Sequence, residues 1–192
     1  MKYYIDLGSS TIKVYRYENS LNLLEEHSIY FKNDFDSEKG ISDTNLEELC
    51  NYFSEIQSKY GLRYDNTFIY VTGIFRNLSD NKKVEMLKLF NDKFDLHFNI
   101  ISHGIEAYYL SKAMEHDYNG KKVLIINMGG KTTELVTYLG DKLTGIKTIN
   151  VGVADVLNIF DRINEEYSGH SVEEIEEFTF NKLKDLNLDN DY

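Results

Sequence analysis

The chain has 192 residues, 42% hydrophobic and 14% aromatic, which is ample for a packed core and argues against global disorder. Its net charge of −11 is uneven: 5 basic and 10 acidic groups in residues 1–50, 13 and 11 in 51–150, and 3 and 11 in 151–192. No basic stripe with interleaved aromatics is present, so nucleic acid is a poor partner. No apolar run approaches the roughly 20 residues of a membrane helix and no signal-peptide core opens the chain. The single Cys50 excludes an intrachain disulfide and a cysteine zinc cluster, which fits a reducing cytoplasm.

Residues 2–6 form a short apolar run, 12–17 alternate, and 21–31 set Leu23, His27, Ile29 and Phe31 on one face. Together they predict an antiparallel three-strand meander. After a polar loop over 33–42, Ser42 or Asp43 caps a predicted helix to about Tyr60, with Leu46, Leu49, Cys50, Phe53 and Ile56 inward and Gly61 as its stop. Cys50 on that face reads as a buried structural thiol. A buried strand over 68–71 ends at Thr72-Gly73, and Asp80 caps a helix to about Phe94. A strand at 96–101 and a helix at 103–116, with Ala107, Leu110, Ala113 and Met114 inward, close the first half.

The polar break at 117–120 separates expected domains 1–118 and 119–192. Strands at 123–127, 133–139 and 143–149 make a second meander, with Gly140-Asp141 as a hairpin turn. Helices follow at about 153–164 and 171–186; Ser171 and Glu174 match a capping box. The acidic run at 173–177 reads as a solvated helix face, and the last six residues as frayed.

The two halves share a grammar. A shift of 121 positions superposes Asp6 on Asn127, Gly8 on Gly129 and Thr11 on Thr132, which suggests a duplicated, two-lobed protein with a cleft between the turns. Such turns present backbone N–H groups and hydroxyls to phosphate oxygens, with glycine where positive φ and close ligand approach are needed. Asp6, just before its turn, stands where a carboxylate holds Mg²⁺ or its waters. His97, His103 and His116 fit no ligand spacing and read as surface or loop residues.

Four segments, in order, carry a resemblance: 5–11 (Ile-Asp-Leu-Gly-Ser-Ser-Thr), 71–77 (Val-Thr-Gly-Ile-Phe-Arg-Asn), 100–107 (Ile-Ile-Ser-His-Gly-Ile-Glu-Ala) and 124–136, with Asn150-Val151-Gly152 as a lesser fifth. They resemble the actin/heat-shock-chaperone/sugar-kinase superfamily, and within it the exopolyphosphatase / guanosine pentaphosphate phosphohydrolase (Ppx/GppA) family. The resemblance implies an α/β, actin-like (RNase H-like) ATPase fold of two lobes, each opening with a three-strand meander, the second incomplete. It implies phosphate cradling by Gly8, Ser9, Ser10, Gly129, Gly130, Lys131 and Thr132, and an arginine contact to phosphate from Arg76. Glu106 would orient and deprotonate the water that attacks the terminal phosphorus. Asp6, Glu134 and Asn127 would hold Mg²⁺ or Mn²⁺ in the interlobe cleft. The implied ligand is polyphosphate or a guanosine polyphosphate, with no nucleic-acid or membrane partner and with a homodimer as one assembly it allows.

The chain also departs from that family. Asn127 stands where the family has a metal-holding aspartate, Lys131 replaces a small turn residue, and Ile105 replaces the first of two glutamates. The family's second lobe continues past the point where this sequence stops, so the chain is expected to be truncated or degenerate. Two functions follow: a cytoplasmic phosphoanhydride hydrolase releasing terminal phosphate, or a catalytically weakened or inactive phosphoryl-ligand binding protein of the same fold. A sugar or acetate kinase is a weaker third, because the adenosine-side segment is missing.

Overall fold

The computed structural model describes residues 1–118, 121–130, 132–140, 142–160 and 169–183. The chain divides into two units, Met1–Ser102 and His103–Tyr192.

The first unit is built on a five-stranded sheet in the order β3-β2-β1-β4-β5. Strands β1 (Lys2–Leu7), β2 (Thr11–Tyr17) and β3 (Leu21–Ser28) form the antiparallel meander. β4 (Thr67–Val71) and β5 (Phe98–Ile100) then add in parallel beside β1. A parallel neighbour needs a crossover, and helices α1 (Asp43–Tyr60) and α2 (Asp80–Phe94) fill the connections. Alternation decides which side is buried: Tyr3, Ile5 and Leu7 of β1, and Ile12 and Val14 of β2, enter one core with Leu49, Phe53 and Ile56 of α1 and Phe90 of α2. Each such side chain contributes about 1.5–3 kcal/mol of burial. Cys50 is buried in that core.

Local chemistry sets the ends. Ser42 Oγ accepts from the Asn45 N–H at 3.2 Å, capping α1, and Gly61 closes it in the left-handed conformation. Asp80 is the first residue of α2 rather than its cap, which is Ser79. The third strand ends at Ser28, three residues short of the expected end. Ile29 and Phe31 are still buried, because a short 3₁₀ turn over Phe31–Asn33 carries Phe31 into the core beside Phe75, 5.1 Å between ring centroids.

In the second unit, β6 (Lys122–Met128), β7 (Thr133–Leu139) and β8 (Lys142–Ile149) form an antiparallel sheet with β7 central. α3 (His103–Tyr118), which the sequence reading assigned to the first domain, groups here. Its Ala107 shares a buried cluster with Ile125, Val136 and Tyr138, and Leu110 packs on that cluster. The inward face of α3 differs from expectation: Ser111 is buried, whereas Ala113 and Met114 are exposed. α4 (Val153–Ile159) begins where the Gly152 N–H donates to the Asp155 carboxylate at 3.0 Å. α5 (Val172–Leu183) opens on the expected capping box, with the Glu174 N–H to Ser171 Oγ at 3.2 Å and the Ser171 N–H to Glu174 Oε2 at 3.0 Å. Glu173, Glu174, Glu176 and Glu177 are exposed on it. The expected end of the fourth helix, past Phe160, that of the fifth, past Leu183, Asp141 of the hairpin turn and the frayed terminus lie outside the described residues. Among the described residues no helix is long and apolar enough to cross a membrane.

Candidate functional site

The two glycine turns are built alike. The Gly8 N–H donates to the Thr11 carbonyl at 2.9 Å, and the Gly129 N–H to the Thr132 carbonyl at 2.7 Å. Strand registers repeat under the same 121-residue shift: Asp6 faces Lys13 and Leu7 faces Ile12, as Asn127 faces Glu134 and Met128 faces Thr133. Neither glycine has positive φ, and each lies close to the carbonyl that closes its turn. A Cβ would stand 3.4 Å from the Thr11 carbonyl oxygen at Gly8 and 3.3 Å from that of Thr132 at Gly129.

In the first unit the turn is pinned from below. Ser9 Oγ accepts from the Ile74 N–H at 3.1 Å, and Gly73, at φ +64°, lies so close that a Cβ there would meet Ser9 Oγ. Ser9 therefore fixes the turn on segment 73–77, while Gly8 and Ser10 stay partly open. Arg76 sits on that segment, a 3₁₀ turn over Gly73–Asn77, and its Nε donates to the Ile101 carbonyl at 2.8 Å. Asp6, next to last in β1, lies on the face opposite the core and is exposed. Desolvation by the surrounding protein raises its carboxyl above the ordinary value; the cations of Lys13 and then Arg76 pull the other way.

In the second unit the chemistry gathers around Glu134, 2% exposed on the central strand. Asn127 Nδ2 donates to its Oε2 at 3.1 Å, and Thr132 Oγ1 donates to its Oε1 at 2.9 Å. His103 Nδ1 lies 3.0 Å from the same Oε1. Glu106, half-buried one helical turn on from His103, completes a set whose ligand atoms all lie within 4.8 Å of one another: His103, Glu106 and Glu134. Asn127 thus serves as a donor to the carboxylate beside it. An aspartate there would oppose Glu134 directly across the strand pair, and like charges in that position repel.

The second unit therefore brings together Glu106, Asn127, Thr132 and Glu134, with Gly129 and Gly130 in the adjoining turn; Lys131 lies outside the described residues. The first unit brings together Asp6, Gly8, Ser9, Ser10 and Arg76. His103 corrects the reading of it as a surface or loop histidine: it is 35% exposed and joined to Glu134. Its i,i+3 spacing to Glu106 on a predicted helix was the available signal; its other partner is 31 residues away. His97, by contrast, is exposed against Tyr64.

For a divalent ion, the donor set of the second unit is chemically suitable: two carboxylates and an imidazole leave coordination positions open for substrate and water. The amide oxygen of Asn127 is a weaker candidate ligand, because its charge is gone.

A comparison with sequence families and curated proteins finds no match. Among solved structures, an Aquifex aeolicus member of the Ppx/GppA protein family is similar at 18% identity and a TM-score of 0.66 over 94% of this chain. An exopolyphosphatase from Cytophaga hutchinsonii is similar at 13% identity and 0.66 over 95%, and PilM–PilN of type IV pilus biogenesis at 12% and 0.51 over 95%. The chain spans 60% and 59% of the lengths of the first two. The resemblance read from the four segments holds as architecture: the chain carries the α/β, actin-like (RNase H-like) fold of the Ppx/GppA proteins.

Proposed function

We propose that the protein hydrolyses a phosphoanhydride, releasing terminal phosphate from polyphosphate or guanosine pentaphosphate in the cytoplasm. One observation carries this reading: Glu106 stands within a few ångströms of a buried carboxylate that is itself held by the residues of a phosphate-type turn. Glu106 orients the attacking water and takes its proton. In the second unit Gly129, Gly130 and Thr132 offer N–H groups and a hydroxyl to phosphate oxygens; in the first, Gly8 and Ser10 offer the same and Arg76 adds a guanidinium. Glu134 in the second unit and Asp6 in the first are the carboxylates that would hold Mg²⁺ or Mn²⁺, and such an ion would neutralise charge on the phosphates.

A second reading, a phosphoryl-ligand binding protein with weakened or no turnover, is favoured by the Asn127–Glu134 hydrogen bond, which has replaced one acid of the metal-holding pair. Phosphate release from each substrate, with Mg²⁺ or Mn²⁺, separates the two. The hydrolase reading expects release by the parent and a loss of about 100-fold or more in Glu106→Ala, the usual scale for a general base. A silent parent with release appearing in Asn127→Asp would establish the binding reading instead. Release that survives Glu106→Ala removes the base.

A further inference from the structure

We infer that His103, Glu106 and Glu134 form a divalent transition-metal site that takes a borderline ion, Zn²⁺ first among them. Three observations converge on it. His103 and Glu106 lie one turn apart on α3, and Glu134 projects from β7, with one ligand atom of each within 4.8 Å of the others. Glu134 is buried and oriented by Asn127 and Thr132, the outer support that metal-ligating carboxylates use. The set also contains an imidazole. Mg²⁺ is a hard ion that prefers oxygen and keeps its waters, whereas Zn²⁺ and Co²⁺ accept imidazole nitrogen and carboxylate oxygen together. Three protein ligands are the number found where further positions remain open.

The site stands whether or not the protein hydrolyses anything. If the hydrolase proposal also holds, a bound Zn²⁺ occupies Glu106 and so competes with its work as base.

Zn²⁺ outcompetes Mg²⁺ at most nitrogen and oxygen sites, so preference alone proves little; the diagnostic is the contribution of His103. The full chain, stripped with chelator, is titrated calorimetrically with Zn²⁺ and with Mg²⁺, and Co²⁺ absorption is recorded. One Zn²⁺ per chain is expected, with visible Co²⁺ bands. His103→Ala and His103→Asn should each weaken Zn²⁺ at least about tenfold, the lower range of loss even for outer-shell changes, and leave Mg²⁺ binding unchanged. His103→Asn retains a donor for Glu134, so it decides the matter if the alanine variant loses its helical circular dichroism. His170→Ala, which removes a histidine beside Glu174, should change nothing. Absent Zn²⁺ binding, unchanged Zn²⁺ affinity in His103→Asn, an equal loss for both ions, or the same loss in His170→Ala overturns the site. Absent phosphate release bears on the hydrolase reading alone.

Discussion

Asp6 and Glu134 are carboxylates with opposite surroundings. Glu134 is enclosed and accepts hydrogen bonds from Asn127 and Thr132; losing the Asn127 donor takes the bond from a buried oxygen, Oε2, at a cost of about 1–3 kcal/mol. Asp6 reaches solvent, yet its carboxyl is raised by desolvation against the pull of Lys13 and Arg76. A carboxyl raised on folding favours the folded state while it is protonated. That contribution is complete below the ordinary value and is lost as pH rises through the folded value. At pH 7 the ionised Asp6 therefore costs stability, and Asp6→Asn should melt higher than the parent. The gap should narrow as pH falls toward the ordinary carboxyl range, and thermal unfolding across pH checks it. A lower melting temperature at pH 7 would mean that Asp6 is held for structure. A higher one, with weaker binding of Mg²⁺, is the pattern of a group kept for a ligand at the expense of stability.

At the scale of elements, the hairpin turns were the most legible part of the sequence, because their chemistry is local. Glycine at the bend and threonine three positions on recur in both halves, and both turns close with the same hydrogen bond. What segment 73–77 does for the first turn was hidden, since Ser9 meets Ile74 across 65 positions. Gly73→Ala tests that support. Positive φ alone costs an alanine about 1–2 kcal/mol, and here its Cβ also collides with Ser9. Gly61 is the control, at the same φ of +64° with nothing within 4 Å of a Cβ. Gly73→Ala should therefore lower the melting temperature by more than Gly61→Ala, whose loss should be about 2–8 °C for 1–2 kcal/mol in a protein of this size. Equal losses would show that Ser9 is not pressed by the segment. His103 escaped the sequence for the same reason as Ser9: its partner lies on another element, and no periodicity records it.

Over the whole molecule, alternation and helical spacing predicted both meanders and α1, because amphipathic elements announce which face they bury. They were weaker for α3, whose buried face includes Ser111 and excludes Ala113 and Met114, since composition does not tell which sheet a helix will meet. The two units also differ in how deeply their sheets are covered. β1 and β4 are central in their sheet, with Ile5, Leu7, Ile69 and Val71 fully buried. In β6, Ile126 is 61% and Met128 54% exposed, and Leu139 and Leu143 at the far ends of β7 and β8 are also open. Local opening follows such differences in burial. Amides of β1 and β4 should exchange only through global unfolding, and those of β6 and β8 through a smaller opening. A gap of one or two kcal/mol corresponds to exchange roughly 5–30-fold faster. Native-state hydrogen exchange across a denaturant series measures this directly. If all eight strands among the described residues share one opening energy, the second sheet gains protection that its own side chains do not supply. If the gap is found, Zn²⁺ should narrow it at β6 and β8, the strands paired with β7 where Glu134 is anchored, because an ion that binds only the closed form stabilises the sheet that carries its ligand.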